Sequence, residues 1–170
     1  MQGDRDKAAG VTSELNKKAL SEQDICLKFI TPAIVGAGWD TMLQMRQEVS
    51  FTDGRILVRG KEVKRGTRKR ADYILYYKPN IPLAVVEAKD NNHSVAHGMQ
   101  QALGYAESLQ IPFVFTSNGD AFQFHDRTGM IDPVEREIAL DEFPEPDDLW
   151  RRYCKWKGLD DWKAELVAQD

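Results

Sequence analysis

Cysteine is scarce in this chain: Cys26 and Cys154 are the only two in 170 residues, far apart and without metal-type spacing. That leaves no basis for a disulfide framework or a cysteine-built zinc module, and two free thiols in a reducing cytosol are expected. Long apolar runs are missing too. No stretch of about 18 apolar residues occurs, so nothing reads as a membrane span and no membrane partner is expected. The opening MQGDRDKAAG lacks the apolar region of a secretory signal, which points to a cytoplasmic protein. Internal repeats and low-complexity segments are absent. Of three histidines, His93 and His97 share a helical spacing, but zinc needs further ligands and neither cysteine is near. Gly54 to Gly60-Lys61-Glu62 almost spells a phosphate-binding P-loop. The gap is one residue too long and Glu62 stands where Ser or Thr would bind Mg²⁺, so ATP is not expected to bind this chain.

What is present fits one domain with a real core: 42% of residues are apolar and 29% charged. The net charge of −4 argues against wholesale attraction to nucleic acid, but the charges are unevenly spread. Arg55, Arg59, Lys61, Lys64, Arg65, Arg68, Lys69 and Arg70 place eight of 23 basic residues within sixteen positions, and from Asp132 onward acids outnumber bases. The asymmetry suits a local polyanion contact; a solvated hairpin loop explains the charge run equally well.

Periodicity sets the order of elements. Residues 1–20 are polar. Ser21, with Asp24 three residues on, resembles a helix cap, and Ile25, Phe29, Ile30, Ala33 and Ile34 then form one helical stripe. Pro32 is expected to kink or interrupt that helix, and Gly36 and Gly38 to end it, with Trp39 in the core. Residues 43–51 alternate as a strand, Asp53-Gly54 signals a hairpin, and Ile56-Leu57-Val58 reads as its return. ADYILYY (71–77) and LAVVEAK (83–89) are strands joined by the tight KPNIP turn. A helix is expected over 94–109, burying Val95, Met99, Ala102, Ala106 and Leu109. Strands PFVFTS and AFQFHD follow around Asn118-Gly119. A final helix starts near Asp147 and carries Leu149, Trp150, Tyr153 and Trp156. Helix, strands, helix, two strands and helix predict an α/β fold, with a central mixed β-sheet flanked by helices.

The chemistry sits in Asp72 and Glu87-Ala88-Lys89. Alternation along a strand puts Glu87 and Lys89 on one face and Ala88 on the other, at the end of an apolar run that reads as a buried central strand. The short KPNIP turn makes the two strands antiparallel neighbours, so the start of one lies beside the end of the other and the two carboxylates come close. Such a pair is unfavourable unless a cation neutralises it. Mg²⁺ prefers oxygen ligands and suits this pair, with the Ala88 carbonyl and Glu22 as further ligands. Lys89 would then hold the attacking water and stabilise a pentavalent phosphate. A surface ion pair between Glu87 and Lys89 is the competing explanation for the spacing.

Asp72 with Glu87-Ala88-Lys89, after a helix bearing Glu22, resembles the PD-(D/E)xK nuclease superfamily, with Ala71 where the family name has proline. Gln101-Ala102-Leu103-Gly104-Tyr105 looks like the QxxxY motif of its RecB-like branch; four residues apart on a helix, Gln101 and Tyr105 can face one site. ITPAIVGAGW, ADYILYYKPNIPLAVVEAK, GMQQALGYAESLQIPFVFTSNG and EFPEPDDLW, in that order over roughly residues 22–150, resemble the N-terminal domain of the restriction (R) subunit of type I restriction-modification enzymes. That resemblance implies a restriction-endonuclease-like fold and Mg²⁺-dependent cleavage of double-stranded DNA in a prokaryotic cytoplasm, with Mn²⁺ as a substitute metal. It further implies an ATP-driven motor elsewhere in the full protein, and methylation and specificity subunits as partners. On this reading residues 1–20 are a polar extension, 21–145 the nuclease domain, and 146–170 a helical link to the motor. Gln101 and Tyr105 support the site, and Lys64, Arg65, Arg68, Lys69 and Arg70 grip phosphates. A stand-alone nuclease or resolvase of the same fold, and a catalytically silent binding or assembly module, are the rivals; the intact Asp72, Glu87 and Lys89 speak against the silent module.

Overall fold

A fully apolar strand needs cover on both faces, and the run before Glu87 is buried throughout, in strand β4 (Pro82–Ala88). The computed structural model describes residues 16–52, 55–56 and 68–169. Lys64 and Arg65, the Asp53-Gly54 turn, the near P-loop, and Leu57 and Val58 of the expected return strand lie outside them. β4 lies at the middle of a seven-stranded sheet with β1 (Met45–Thr52), β2 (Arg55–Ile56), β3 (Lys69–Tyr76), β5 (Phe113–Ser117), β6 (Ala121–Asp126) and β7 (Glu135–Ala139). The order is β2-β1-β3-β4-β5-β6-β7. Among the described strands only β4 and β5 run parallel, joined by helix α2 (Met99–Leu109) as parallel strands require, so the sheet is mixed.

Helix α1 spans residues 22–36 and covers one face. Ser21 caps it, with reciprocal bonds to Asp24. Pro32 does not break it. Because proline has no N–H, the backbone passes through a π-helical stretch, Cys26–Ile30, in which Thr31 N–H bonds back to the Cys26 carbonyl. Ile25, Ile30, Ile34 and Trp39 pack there with Tyr73, Leu75, Val86, Phe113, Phe115 and Phe122, and the Trp39 indole N–H donates to the Pro144 carbonyl. On the other face Met99, Ala102 and Ala106 of α2 meet Val49, Phe51, Ile74, Val85 and Val114. Burying each such large side chain contributes about 1.5–3 kcal/mol, so these two layers hold the sheet rigid beneath the strand ends.

Three departures from the periodicity have local causes. The helix expected over 94–109 begins at Met99, because residues 94–98 close tight turns instead, His97 N–H bonding the Ser94 carbonyl and Met99 N–H the Ala96 carbonyl, while the Thr116 hydroxyl takes the Val95 carbonyl. β7 was not expected. Its charged EREIA buries only Ile138, as an edge strand can. The C-terminal region holds two helices, α3 (Pro146–Lys157) and α4 (Asp161–Gln169), separated by Gly158 in the left-handed conformation. α3 packs directly on the core through buried Leu149, and Trp150 stacks on Tyr77 at 4.3 Å. Among the described residues no helix is long and apolar enough to cross a membrane.

Candidate active site

β3 and β4 pair up to Tyr73↔Val86, and then the ladder stops. The next step sets Asp72 beside Glu87. There the backbones do not bond each other; each carboxylate reaches across to the opposite strand. Asp72 N–H donates to Glu87 Oε1 at 3.0 Å, and Ala88 N–H donates to Asp72 Oδ2 at 2.7 Å. The fork is thus propped open by two acids, each with one oxygen on the opposite strand's backbone. Glu87 is 4% exposed. Burial first, and the Asp72 carboxylate second, raise its proton affinity well above that of an ordinary glutamate, while Lys89 pulls the other way. Neither acid forms an ion pair among the described residues, so the pair lacks contact neutralisation.

The adjoining cleft, of about 410 Å³, has Glu22, Cys26, Gln47, Glu48, Arg70 and Asp72 among its walls. Glu22 arrives there because the hydroxyl of Tyr73, the residue after Asp72, donates to the Cys26 carbonyl and bonds Thr31 Oγ1, fastening α1 to β3. Burial first, then Asp72, raises the proton affinity of Glu22, with Lys89 opposing. As the side chains stand, no three His, Cys, Asp or Glu among the described residues close on one ion position. The Cys26 thiol is pushed up to about 11 by burial, which rules out a ready thiolate nucleophile in the cleft.

Lys89 follows β4, its N–H bonded to the Ser117 carbonyl. Ala88 is fully buried in the α1-side core, so Glu87 and Lys89 share the other face, as alternation requires. On α2, Gln101 Nε2 donates to the Tyr105 hydroxyl at 2.6 Å, and the Tyr105 ring packs edge-on against Phe51. Tyr105 holds its proton more tightly through burial and then the Glu87 charge. Of the basic residues, Arg70 lines the cleft, while Arg68 and Lys69 are exposed at the start of β3, where Arg68 donates to Ser50 Oγ. His93 bonds Asp90 and lies 4.5 Å from the His97 ring.

Glu48 was not singled out by periodicity. It faces Asp72 across the β1–β3 ladder, between Gln47↔Tyr73 and Val49↔Ala71, with a left-handed φ of 52°. Tyr73 points into the α1 layer but Ala71 into the α2 layer, so strand alternation turns over at this step. No local sequence signal announces a glutamate in that conformation.

A mixed sheet flanked by helices, with a strand fork bearing paired carboxylates and a lysine, is the restriction-endonuclease-like α/β fold. Residues 56–130 match the family model of the type I restriction enzyme R protein N terminus. Over 159 residues, 93% of this chain, the sequence is 49% identical to the type I restriction enzyme EcoAI endonuclease subunit of Escherichia coli. The chain spans 20% of that relative's length. A solved fragment described as an HsdR subunit of a type I restriction enzyme from Vibrio vulnificus YJ016 superposes with a TM-score of 0.69 at 40% identity, covering 84% of this chain and 27% of that one. The chain belongs to the N-terminal domains of type I restriction enzyme R proteins.

Proposed function

We propose that this chain is the endonuclease module of a type I restriction enzyme R subunit, hydrolysing phosphodiester bonds of double-stranded DNA with Mg²⁺, or Mn²⁺ in its place. The observation that carries this reading is the Asp72–Glu87 fork: two acids side by side, one nearly buried, each with one oxygen held by backbone. An all-oxygen, doubly charged donor set fits a hard divalent cation. Asp72 and Glu87 would hold it, with the Ala88 carbonyl and Glu22 as further ligands. When bound, the ion supplies charge neutralisation and Lewis acidity at the phosphate.

The chain's own residues do the rest. Lys89 orients the attacking water and offsets charge that builds on the phosphoryl oxygens. Gln101 and Tyr105 place hydrogen-bond donors beside Glu87 for the phosphate. Arg70 binds a phosphate at the cleft wall, while Lys64, Arg65, Arg68 and Lys69 grip the duplex further out. The full protein couples this site to an ATP-driven translocase and assembles with methylation and specificity subunits in a prokaryotic cytoplasm.

Lys89→Ala tests the assignment in the assembled enzyme. Cleavage of a supercoiled plasmid should disappear while the unfolding midpoint and DNA affinity stay near wild type. A folded variant that cuts at the wild-type rate refutes it.

A further inference from the structure

Gly98 stands at the start of α2, where a helix cap accepts glycine but no backbone angle demands it. Its φ of −86° and ψ of 5° are open to any residue, and the position forgoes the side-chain cap that Ser, Thr, Asn or Asp would supply. What it has is space taken by a neighbour. A Cβ at position 98 would lie 3.3 Å from Lys89 Cε, 3.8 Å from Lys89 Cγ and 3.8 Å from Thr116 Cγ2. The first distance is tighter than ordinary van der Waals contact, so something must move. The backbone on this side is held: Thr116 Oγ1 donates to the Val95 carbonyl at 2.7 Å, Asn118 Nδ2 to the His93 carbonyl at 2.7 Å, and Asn91 Nδ2 to the Asn118 carbonyl at 2.9 Å. The flexible Lys89 stem is the part that yields. Thr116 pairs with Glu87 in the β4–β5 ladder, so this slot opens beside the acid pair.

We propose that Gly98 is a positioning residue for Lys89: the missing Cβ at the start of α2 opens the slot through which the lysine stem runs to bring its ammonium beside Glu87, with the Thr116 methyl forming part of the same wall. This rests on the reading of Lys89 as the residue that serves the water and the phosphate. A displacement of a few tenths of an ångström matters because reaction rate is steep in the placement of reacting groups.

The test combines turnover with a stability cycle. In the assembled enzyme, Gly98→Ala should lower plasmid turnover about tenfold with DNA affinity within about twofold of wild type. Thr116→Ser, which keeps the hydroxyl and removes the methyl beside the new Cβ, should restore part of that loss when combined with Gly98→Ala. In thermal unfolding of this chain, Gly98→Ala should lower the midpoint by roughly 1–3 °C. That cost should persist in a Lys89→Met background, which keeps the stem, and vanish in Lys89→Ala, which removes it. An equal cost in all three backgrounds means that Gly98 serves the helix start and overturns the proposal. Wild-type turnover of Gly98→Ala beside an inactive Lys89→Ala also overturns it, leaving the role of Lys89 intact. A Lys89→Ala enzyme that still cuts defeats the underlying reading itself.

Discussion

Replacing Glu87 by glutamine should make the metal-free protein more stable, because the fork then no longer has to bury a carboxylate or hold a proton on it, and it keeps its geometry. The amide oxygen still accepts from Asp72 N–H, and the amide nitrogen can donate to the Asp72 carboxylate where two acids now face each other. Relief of a buried, like-charge-flanked carboxylate is worth about 2–3 kcal/mol. For a chain of this size that is a rise of roughly 5–10 °C in unfolding midpoint. The effect has a pH signature. Folded Glu87 binds its proton more tightly than at its ordinary value of 4.5, from burial and then Asp72. Above that pH the folded state carries more protons than the unfolded one, so this group's contribution falls as pH rises towards the raised folded value. The Gln variant should lack that decline, and its advantage should grow from pH 5 to pH 8. Carboxylates with lowered proton affinity, such as Asp120 beside Lys17, are common to both proteins and cancel in the difference. Melting in chelator across this range reads the effect, and Mn²⁺ should reverse it by stabilising wild type far more than the variant. A variant less stable than wild type at pH 8 in chelator, with an unchanged pH slope, would refute the reasoning.

Glu48→Gly should raise stability by about 1 kcal/mol, since a left-handed φ is free for glycine and costly for glutamate, whereas Glu48→Val should be destabilising; denaturant midpoints decide between this and an unstrained strand. Neutralising Lys64, Arg65, Arg68, Lys69 and Arg70 together should weaken binding to two unrelated duplexes alike and flatten its salt dependence, because phosphate contacts carry no base information; an unchanged slope returns the basic run to a solvated hairpin. The isolated chain should nick supercoiled plasmid poorly even with Mg²⁺, since a net charge of −4 and one small basic segment give it little hold on DNA. Rapid, ATP-independent cutting by the chain alone would favour a stand-alone nuclease.

The acid pair was legible because its signal is local. An apolar run ending in Glu87-Ala88-Lys89, preceded by a five-residue turn and a strand beginning near Asp72, sets both side-chain alternation and antiparallel adjacency within twenty residues. That Gln101 and Tyr105 meet on one helix face was legible too, because they stand four residues apart. β7 was hidden because an edge strand with one buried side chain carries almost no alternation, and the start of α2 was misplaced because Thr116, on a strand twenty-one residues away, takes the Val95 carbonyl that a helix would use.

What sequence alone determined is that Asp72 and Glu87 come side by side and which strand Glu87 ends. Tertiary structure decided how they meet. Glu22 enters the cleft through Tyr73, which bonds α1 across a separation of 47 residues. The fork exists because each acid takes the opposite strand's N–H in place of a ladder bond. Glu48 marks where alternation turns over, and Gly98 leaves room for a lysine nine positions earlier. None of these has a period. They are contacts between segments brought together only when two apolar layers close on one sheet, and pairwise geometry of that kind exists only in the folded chain.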